Sequence, residues 1–423
     1  MMTLLIFLGF ILVLVGVHEG GHFLMAKLTG IAVEEFALGF GPPIWSRKRG
    51  ETRYSVRLLP LGGFVRLAGE TESAGQMPLE RTYYGRPAWA RLALSAAGPA
   101  ANVLLALAVL MVAVWSVGVP GIRVAGLFPD APAQEALQVG DQILRIDGRR
   151  IWLPEDLGPA IQQAAPGEVS FELLRDGERL TVEVTPQYSE QDELYRVGSY
   201  FAPQVLLTKL TALPPNAPLA KAGLQEGDRI VAACERGIDS AQEFASAWEQ
   251  GCREISVQRN GELLSFTLHE QELAELVAGA EFERLPLAHR RAGIDGIRLS
   301  FRLLTQALTD FVHGIRLMVA GEVRAEDAIA GPVGIAGILS EGVQAGAWPS
   351  LILVALLSLN LAIINVLPFP ALDGARMVFS LWELVTRRKV SPVVENAVHT
   401  VGFIILLAVL LLITFWDVLR LFE

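Results

Sequence analysis

Thiols are almost absent from this 423-residue sequence, which has two cysteines, Cys234 and Cys252. That excludes a disulfide framework and a thiolate zinc site. The pair reads as two isolated buried thiols, which would join only if their region lay outside the cytosol. Charge is scarce too: Asp, Glu, Lys and Arg make up 19% of the chain while apolar residues make up 52%, against about 25% charged in an average soluble domain. The net charge of −10 argues against a nucleic-acid partner, because a phosphate backbone is bound by cationic surfaces. No basic flank precedes the first apolar run and no small-x-small cleavage site follows it. Leu4 to Val17 is therefore expected to remain as a membrane helix and not to leave as a signal peptide.

Histidine is equally rare, at six residues, yet two of the six fall together in this apolar stretch. His18-Glu19-Gly20-Gly21-His22 reads H-E-x-x-H, and on a helix the spacing of four sets both imidazoles on one face, one turn apart. Such a pair suits zinc, with Glu19 beside it as general base. Ionisable groups inside a bilayer-length helix are costly, so their presence there points to function.

Taken in order, 1–30 is a first transmembrane helix that carries this motif. Residues 31–91 are too polar to span. Short strands at Tyr54–Leu58 and Phe64–Leu67, separated by Pro60 and Gly62-Gly63, suggest a β-hairpin sheet packed beside the motif helix. Its excess of Arg and Lys places it on the cytoplasmic side. Residues 92–119 form a second span whose entry holds Gly98-Pro99-Ala100-Ala101-Asn102. The proline there is either a plain kink or the sign of a site group for Asn102. Trp115 would mark the outer interface. A third span over 349–380 carries Asn360, Asn365 and Leu372-Asp373-Gly374, and a fourth covers 396–418. Arg387-Arg388-Lys389 between them is again cytoplasmic, so both termini lie outside.

The polar middle repeats itself at about 85 residues. Pro129-Asp130-Ala131-Pro132-Ala133 leads to Gly140-Asp141, and Pro215-Asn216-Ala217-Pro218 leads to Gly227-Asp228. Each copy ends in a primed-turn hairpin, Arg175-Asp176-Gly177 or Arg259-Asn260-Gly261. The pattern resembles two PDZ domains, over 120–190 and 191–270, which would either capture an extended peptide or serve as spacers. Residues 271–348 form a linker with an amphipathic helix at about Phe301–Val319. Ala330-Gly331-Pro332-Val333-Gly334 is a break to which no chemistry is assigned. His269, His289, His313 and His399 have no partner at ligand spacing and are expected at the surface or the interface.

A zinc site with two His needs a third protein ligand and an open position for water. Asp373, at the inner end of the third span, is the acid best placed by depth; the alternative is a carboxylate solvated at the membrane surface. Together the His18–His22 motif, Gly98–Asn102, the tandem repeat and Asn365-Val366-Leu367-Pro368-Phe369-Pro370-Ala371-Leu372-Asp373-Gly374 resemble the bacterial site-2 proteases across essentially the whole chain.

The resemblance implies a polytopic α-helical membrane protein with four transmembrane helices, a membrane-associated β-hairpin region over about Glu34 to Leu67 and two inserted α+β PDZ domains. It implies a zinc-dependent intramembrane endopeptidase of the inner membrane, with the PDZ domains outside and the site near the cytoplasmic face. His18, His22 and Asp373 would hold Zn2+, Glu19 would be the base, and Asn360 and Asn365, with Asn102, would hold substrate. The substrate class implied is a single-span membrane protein of the anti-sigma-factor type, or a signal-peptide remnant, trimmed beforehand by an upstream site-1 type protease. Two other classes stay open: a catalytically dead membrane adaptor, and a metal transporter. Neither needs His18, Glu19, His22 and Asp373 together.

Overall fold

The computed structural model describes residues 2–70, 77–128, 130–190, 192–269, 272–324 and 330–420; Pro129 of the first repeat motif lies outside them. The chain divides into two compact units, Met1–Gly118 with Arg291–Glu423, and Val119–Arg290.

The first unit is helical around a small sheet. Helix α1 (Met2–Thr29) leads into strands β1 (Val33–Arg49) and β2 (Thr52–Leu67), then into α2 (Ala88–Val112), which ends in one turn of π-helix, Ala113–Val117. After the second unit come α3 (Gly296–Ala320), α4 (Pro332–Gln344), α5 (Ala347–Val366), α6 (Asp373–Thr386) and α7 (Pro392–Arg420). Among the described residues, four helices are long and apolar enough to cross a membrane: Phe7–Thr29, Ala88–Val117, Ala347–Val366 and Pro392–Leu419. The amphipathic α3 is not among them, and it starts earlier than its hydrophobic pattern indicated. The reason is local: the Trp115 indole donates to Gly293 O at 2.9 Å, and only glycine at 296 lets the ring lie so close.

α1 and α2 cross at backbone contact. A methyl group at Gly21 would fall 2.3 Å from Ala97 O and 2.8 Å from Ala101 Cβ, whereas one at Gly20 would meet nothing within 4 Å. Small residues on both helices permit that approach, which is how apolar helices associate where water supplies no drive. The two strands are longer than the short segments expected, because they bend instead of breaking at Pro60 and Gly62-Gly63. Residues 63–67 run antiparallel to 33–38, whose other side carries 53–56, and 43–49 close a hairpin on 52–57. The 63–67 stretch is thus left at one edge. Glu35 is buried in the bend and is satisfied there by Ser55 Oγ (2.8 Å) and the Arg57 guanidinium (2.6 Å).

The third span ends at Val366, and Asp373 opens a separate helix, α6, so 349–380 is not one continuous helix. Pro368 and Pro370 stop α5. α6 then folds back on it, and a methyl group at Gly374 would fall 2.1 Å from Leu367 O. The Gly331-Pro332-Val333-Gly334 break also has a partner. The buried Asp417 carboxylate of α7 accepts from Gly334 N (2.8 Å) and Gly331 N (3.3 Å), capping the start of α4.

The second unit holds two sheets of the same plan. In the first, β3 (Arg123–Leu127), β4 (Gln142–Ile146), β5 (Val169–Arg175), β6 (Glu178–Val184) and β7 (Ser199–Ala202) lie in the order β7-β3-β4-β5-β6. In the second, β8 (Leu206–Ala212), β9 (Arg229–Ala233), β10 (Glu254–Arg259), β11 (Glu262–Thr267) and β12 (Glu281–Arg284) lie in the order β12-β8-β9-β10-β11. Each copy is therefore completed by a strand after its hairpin, so the limits 190 and 270 fall short. Periodicity marked the hairpins but could not show which later strand returns to the first.

Each repeat has its own apolar core, and each is tied by the same ion pair. Arg175 grips Asp141 at 2.6 and 2.7 Å and reaches Ala136 O; Arg259 grips Asp228 at 2.7 and 2.7 Å and reaches Gly223 O. The hairpin turns have positive φ at both central residues, Asp176-Gly177 and Asn260-Gly261, as a type I′ turn requires. Cys234 and Cys252 are not isolated thiols. Pairing of Ala233 with Ile255 brings their Cα atoms to 5.8 Å, and they form a disulfide. Sequence separation alone could not show that register.

Candidate active site

The H-E-x-x-H spacing does on α1 what a helix dictates. His18 and His22 are both buried on one face, with Nε2 atoms 3.2 Å apart. From α6, Asp373 Oδ2 comes within 3.0 Å of His18 Nε2 and 3.2 Å of His22 Nε2. His22 Nδ1 donates to Leu94 O at 2.8 Å, which fixes the tautomer and leaves Nε2 with a lone pair. One carboxylate oxygen and two imidazole nitrogens thus converge, an arrangement that only a cation or an extra proton stabilises. Tetrahedral zinc with bonds of about 2.0–2.1 Å separates its ligand atoms by about 3.3 Å, close to the spacings found. The three residues fit the metal.

Helix α2 forms the floor of this cluster. A methyl group at Gly98 would lie 2.3 Å from His22 Nε2 and 2.8 Å from His18 Nε2. Glu19 lines the same cavity of about 680 Å³, and the sheet approaches it closely: a methyl at Gly63 would fall 3.1 Å from Glu19 Cγ. Edge residues Phe64, Val65 and Leu67 line the cavity as well.

The asparagines separate. Asn365 lines the cavity and donates Nδ2–H to Leu361 O at 2.9 Å. Asn102 and Asn360 are not among the lining residues. Asn102 is fully buried, its side-chain amide lacks a partner among the described residues, and its backbone carbonyl accepts from Ser358 Oγ on α5. Its place is in the α2–α5 packing.

Three residues escaped the sequence reading. Arg376, one turn beyond Asp373, is paired with Glu70, and both line the cavity. Burial opposes the Arg376 charge, but Glu70 and its other neighbours more than offset this and hold the guanidinium firmly protonated. Its i+3 spacing from Asp373 was the available signal. His399, expected at the surface or the interface without a partner, lines the cavity and accepts from Ala371 N–H at 3.0 Å. It had no ligand-spaced partner in sequence because its partner is a backbone amide 28 residues away. Beneath Arg376, Tyr83 is buried between it and Arg91, with ring centroids 5.6 and 5.7 Å from the two guanidinium carbons. Burial pushes its hydroxyl up to about 12.

Residues 6–409 match the model of peptidase family M50. A zinc metalloprotease RasP of Oceanobacillus iheyensis is 29% identical over 457 residues, covering 100% of both chains. The regulator of sigma E protease of Salmonella typhi is 28% identical over 97% of this chain and 96% of its own. A second zinc metalloprotease RasP, from Shouchella clausii, is 29% identical across 100% of both chains. With four helices among the described residues long and apolar enough to span a bilayer, this is a zinc-dependent membrane protease, and the chain belongs to peptidase family M50, the site-2 protease family.

Proposed function

We propose that this protease cuts a peptide bond within the transmembrane segment of a single-span protein. The observation that carries the reading is the convergence of His18, His22 and Asp373 on the wall of a cavity that also holds Glu19, with the two histidines on a membrane-length helix. His18 Nε2, His22 Nε2 and Asp373 Oδ2 would hold the zinc. When bound, zinc lowers the pKa of a coordinated water and polarises the scissile carbonyl. Glu19 takes the water's proton and passes it to the leaving amine. The His22–Leu94 hydrogen bond keeps the imidazole in the ligating tautomer throughout.

A substrate helix hides its carbonyls in internal hydrogen bonds, so it must unwind locally before attack, and its freed groups then need partners. The open edge at 63–67, beside Glu19, offers a strand's row of donors and acceptors. Asn365 adds a side-chain amide in the same cavity, while Asn102 and Asn360 act, in this reading, through helix packing.

The two repeats resemble PDZ domains and would lie outside the cytosol, which suits the Cys234–Cys252 disulfide. The chain would sit in the bacterial inner membrane with both termini outside and the site near the cytoplasmic face. The repeats would hold back substrates with bulky outer domains until a site-1 type protease has trimmed them, the substrate being of the anti-sigma-factor class. Their two ends leave side by side, since Val119-Pro120 pairs with Arg290-His289, so a short linker can replace them. That deletion is expected to admit an untrimmed substrate.

The decisive test compares zinc content and cleavage of a single-span substrate in wild type and Glu19→Gln. Zinc retained with cleavage lost supports the reading; equal cleavage rejects Glu19 as base. Removing zinc with a chelator should abolish wild-type cleavage, and readdition should restore it.

A further inference from the structure

We propose that His399 is a further working residue of this site, donating its Nε2–H to a backbone carbonyl of the unwound substrate. His399 sits two turns into α7, and its Nδ1 accepts from Ala371 N–H at 3.0 Å. A ring nitrogen that accepts carries no proton, so the neutral imidazole holds its proton on Nε2. That nitrogen is buried and has no partner among the described residues. A buried donor left unmade in the free protein is a standing cost unless something else comes to fill it. Because the side chain lines the cavity that holds His18, Glu19, His22 and Asp373, the natural occupant is substrate.

The ring is also held in place. Its anchor, Ala371, adopts φ +77, a region that residues with side chains rarely enter, two residues before Asp373. Phe379 packs against the imidazole edge to face, with centroids 6.1 Å apart. A donor fixed on two sides suits carbonyl recognition, because little rotational freedom is lost when substrate binds. One other polar group of the cavity complements it. Asn365 spends its Nδ2–H on Leu361 O and its Oδ1 has no partner among the described residues, so it can accept a substrate N–H, whereas the Glu70 carboxylate is already taken by Arg376. An unwound peptide unit needs one donor and one acceptor, and His399 with Asn365 offers that pair.

The inference rests on this cavity being the active site, which the Glu19→Gln comparison tests separately. The experiment uses the full chain and a single-span substrate. In His399→Asn the amide oxygen stands in for Nδ1 and keeps the Ala371 bond but supplies no donor at the Nε2 position. In His399→Gln the amide nitrogen stands in for Nε2. His399→Asn is expected to keep wild-type zinc content and thermal stability and to lose about tenfold or more in kcat/KM. In a Glu19→Gln background it should also bind intact substrate several-fold more weakly. His399→Gln should recover most of both losses. Wild-type cleavage and binding in His399→Asn would overturn the proposal. So would loss of zinc in His399→Asn with no recovery in His399→Gln, which would make His399 a prop for the Asp373 turn and nothing more.

Discussion

Gly98→Ala adds one carbon where the structure has no room for it. The new Cβ would lie 2.3 Å from His22 Nε2 and 2.8 Å from His18 Nε2, against an ordinary carbon–nitrogen contact of about 3.4 Å. Relief needs a shift of about 1 Å, either of α2 or of both imidazoles. α2 is not free to move, because its backbone already abuts α1 at Gly21, where Ala97 O leaves no space. The imidazoles must therefore yield, and His22 would lose its Leu94 hydrogen bond. Losing an outer-shell partner of a zinc-bound histidine typically costs 10- to 100-fold in metal affinity or activity, and a misplacement of about 1 Å at a reacting centre costs about 100-fold in rate. Gly98→Ala should thus fold and span normally, yet lose zinc on dialysis and lose about 100-fold or more in cleavage. Metal analysis beside a single-span cleavage assay measures both.

The control lies in the motif itself. A methyl at Gly20 meets nothing within 4 Å, so Gly20→Ala should keep zinc and gain up to about 1 kcal/mol of helix stability. Gly21→Ala should separate α1 from α2 and destabilise the unit. Full zinc and full activity in Gly98→Ala would show that α2 does not form the floor of the site.

Asp417→Ala should lower the thermal stability of the detergent-solubilised protein by about 1–2 kcal/mol, since the Gly331 and Gly334 amides lose their cap; an unchanged melting curve would remove the cap assignment. Acid should weaken the second repeat. Burial alone would raise the Asp228 carboxyl, but Arg259 and the Gln225 amide outweigh it and hold it below the ordinary value of about 3.9. A carboxyl lowered on folding stabilises the fold above its unfolded pKa, and that contribution is lost as pH falls through the folded one. Proteolysis of the full chain inside 205–285 should therefore accelerate below about pH 4. Asp228→Asn should be more susceptible at pH 7 and lack most of that acid limb, and an identical limb in both proteins would contradict the assignment.

How far the site could be read from sequence depended on where each partner sits along the chain. His18 and His22 are four residues apart on a helix, so their shared face follows from helical geometry alone. Asp373 is 355 residues from His18, and depth in the membrane narrowed it to one acid only because a bilayer reduces position to a single coordinate. His399 was lost for the opposite reason. Its partner is the backbone amide of Ala371, present at nearly every position and so invisible in any pattern of side chains. The cysteines failed in the same way, since a strand register decides their meeting. The asparagines show the limit of depth as a guide. Asn102 and Asn365 both belong to spans near the site, yet Asn102 is fully buried and only Asn365 is among the residues lining the cavity. Rotation about a helix axis separates them, and the apolar spans give little periodic signal to fix it, being hydrophobic all round. What fixes rotation here is close packing at glycine. Gly21 against Ala97, and Gly98 against the two imidazoles, leave α1 and α2 one way to meet. Gly21 and Gly98 therefore carry as much of the site's geometry as His18, His22 and Asp373 do.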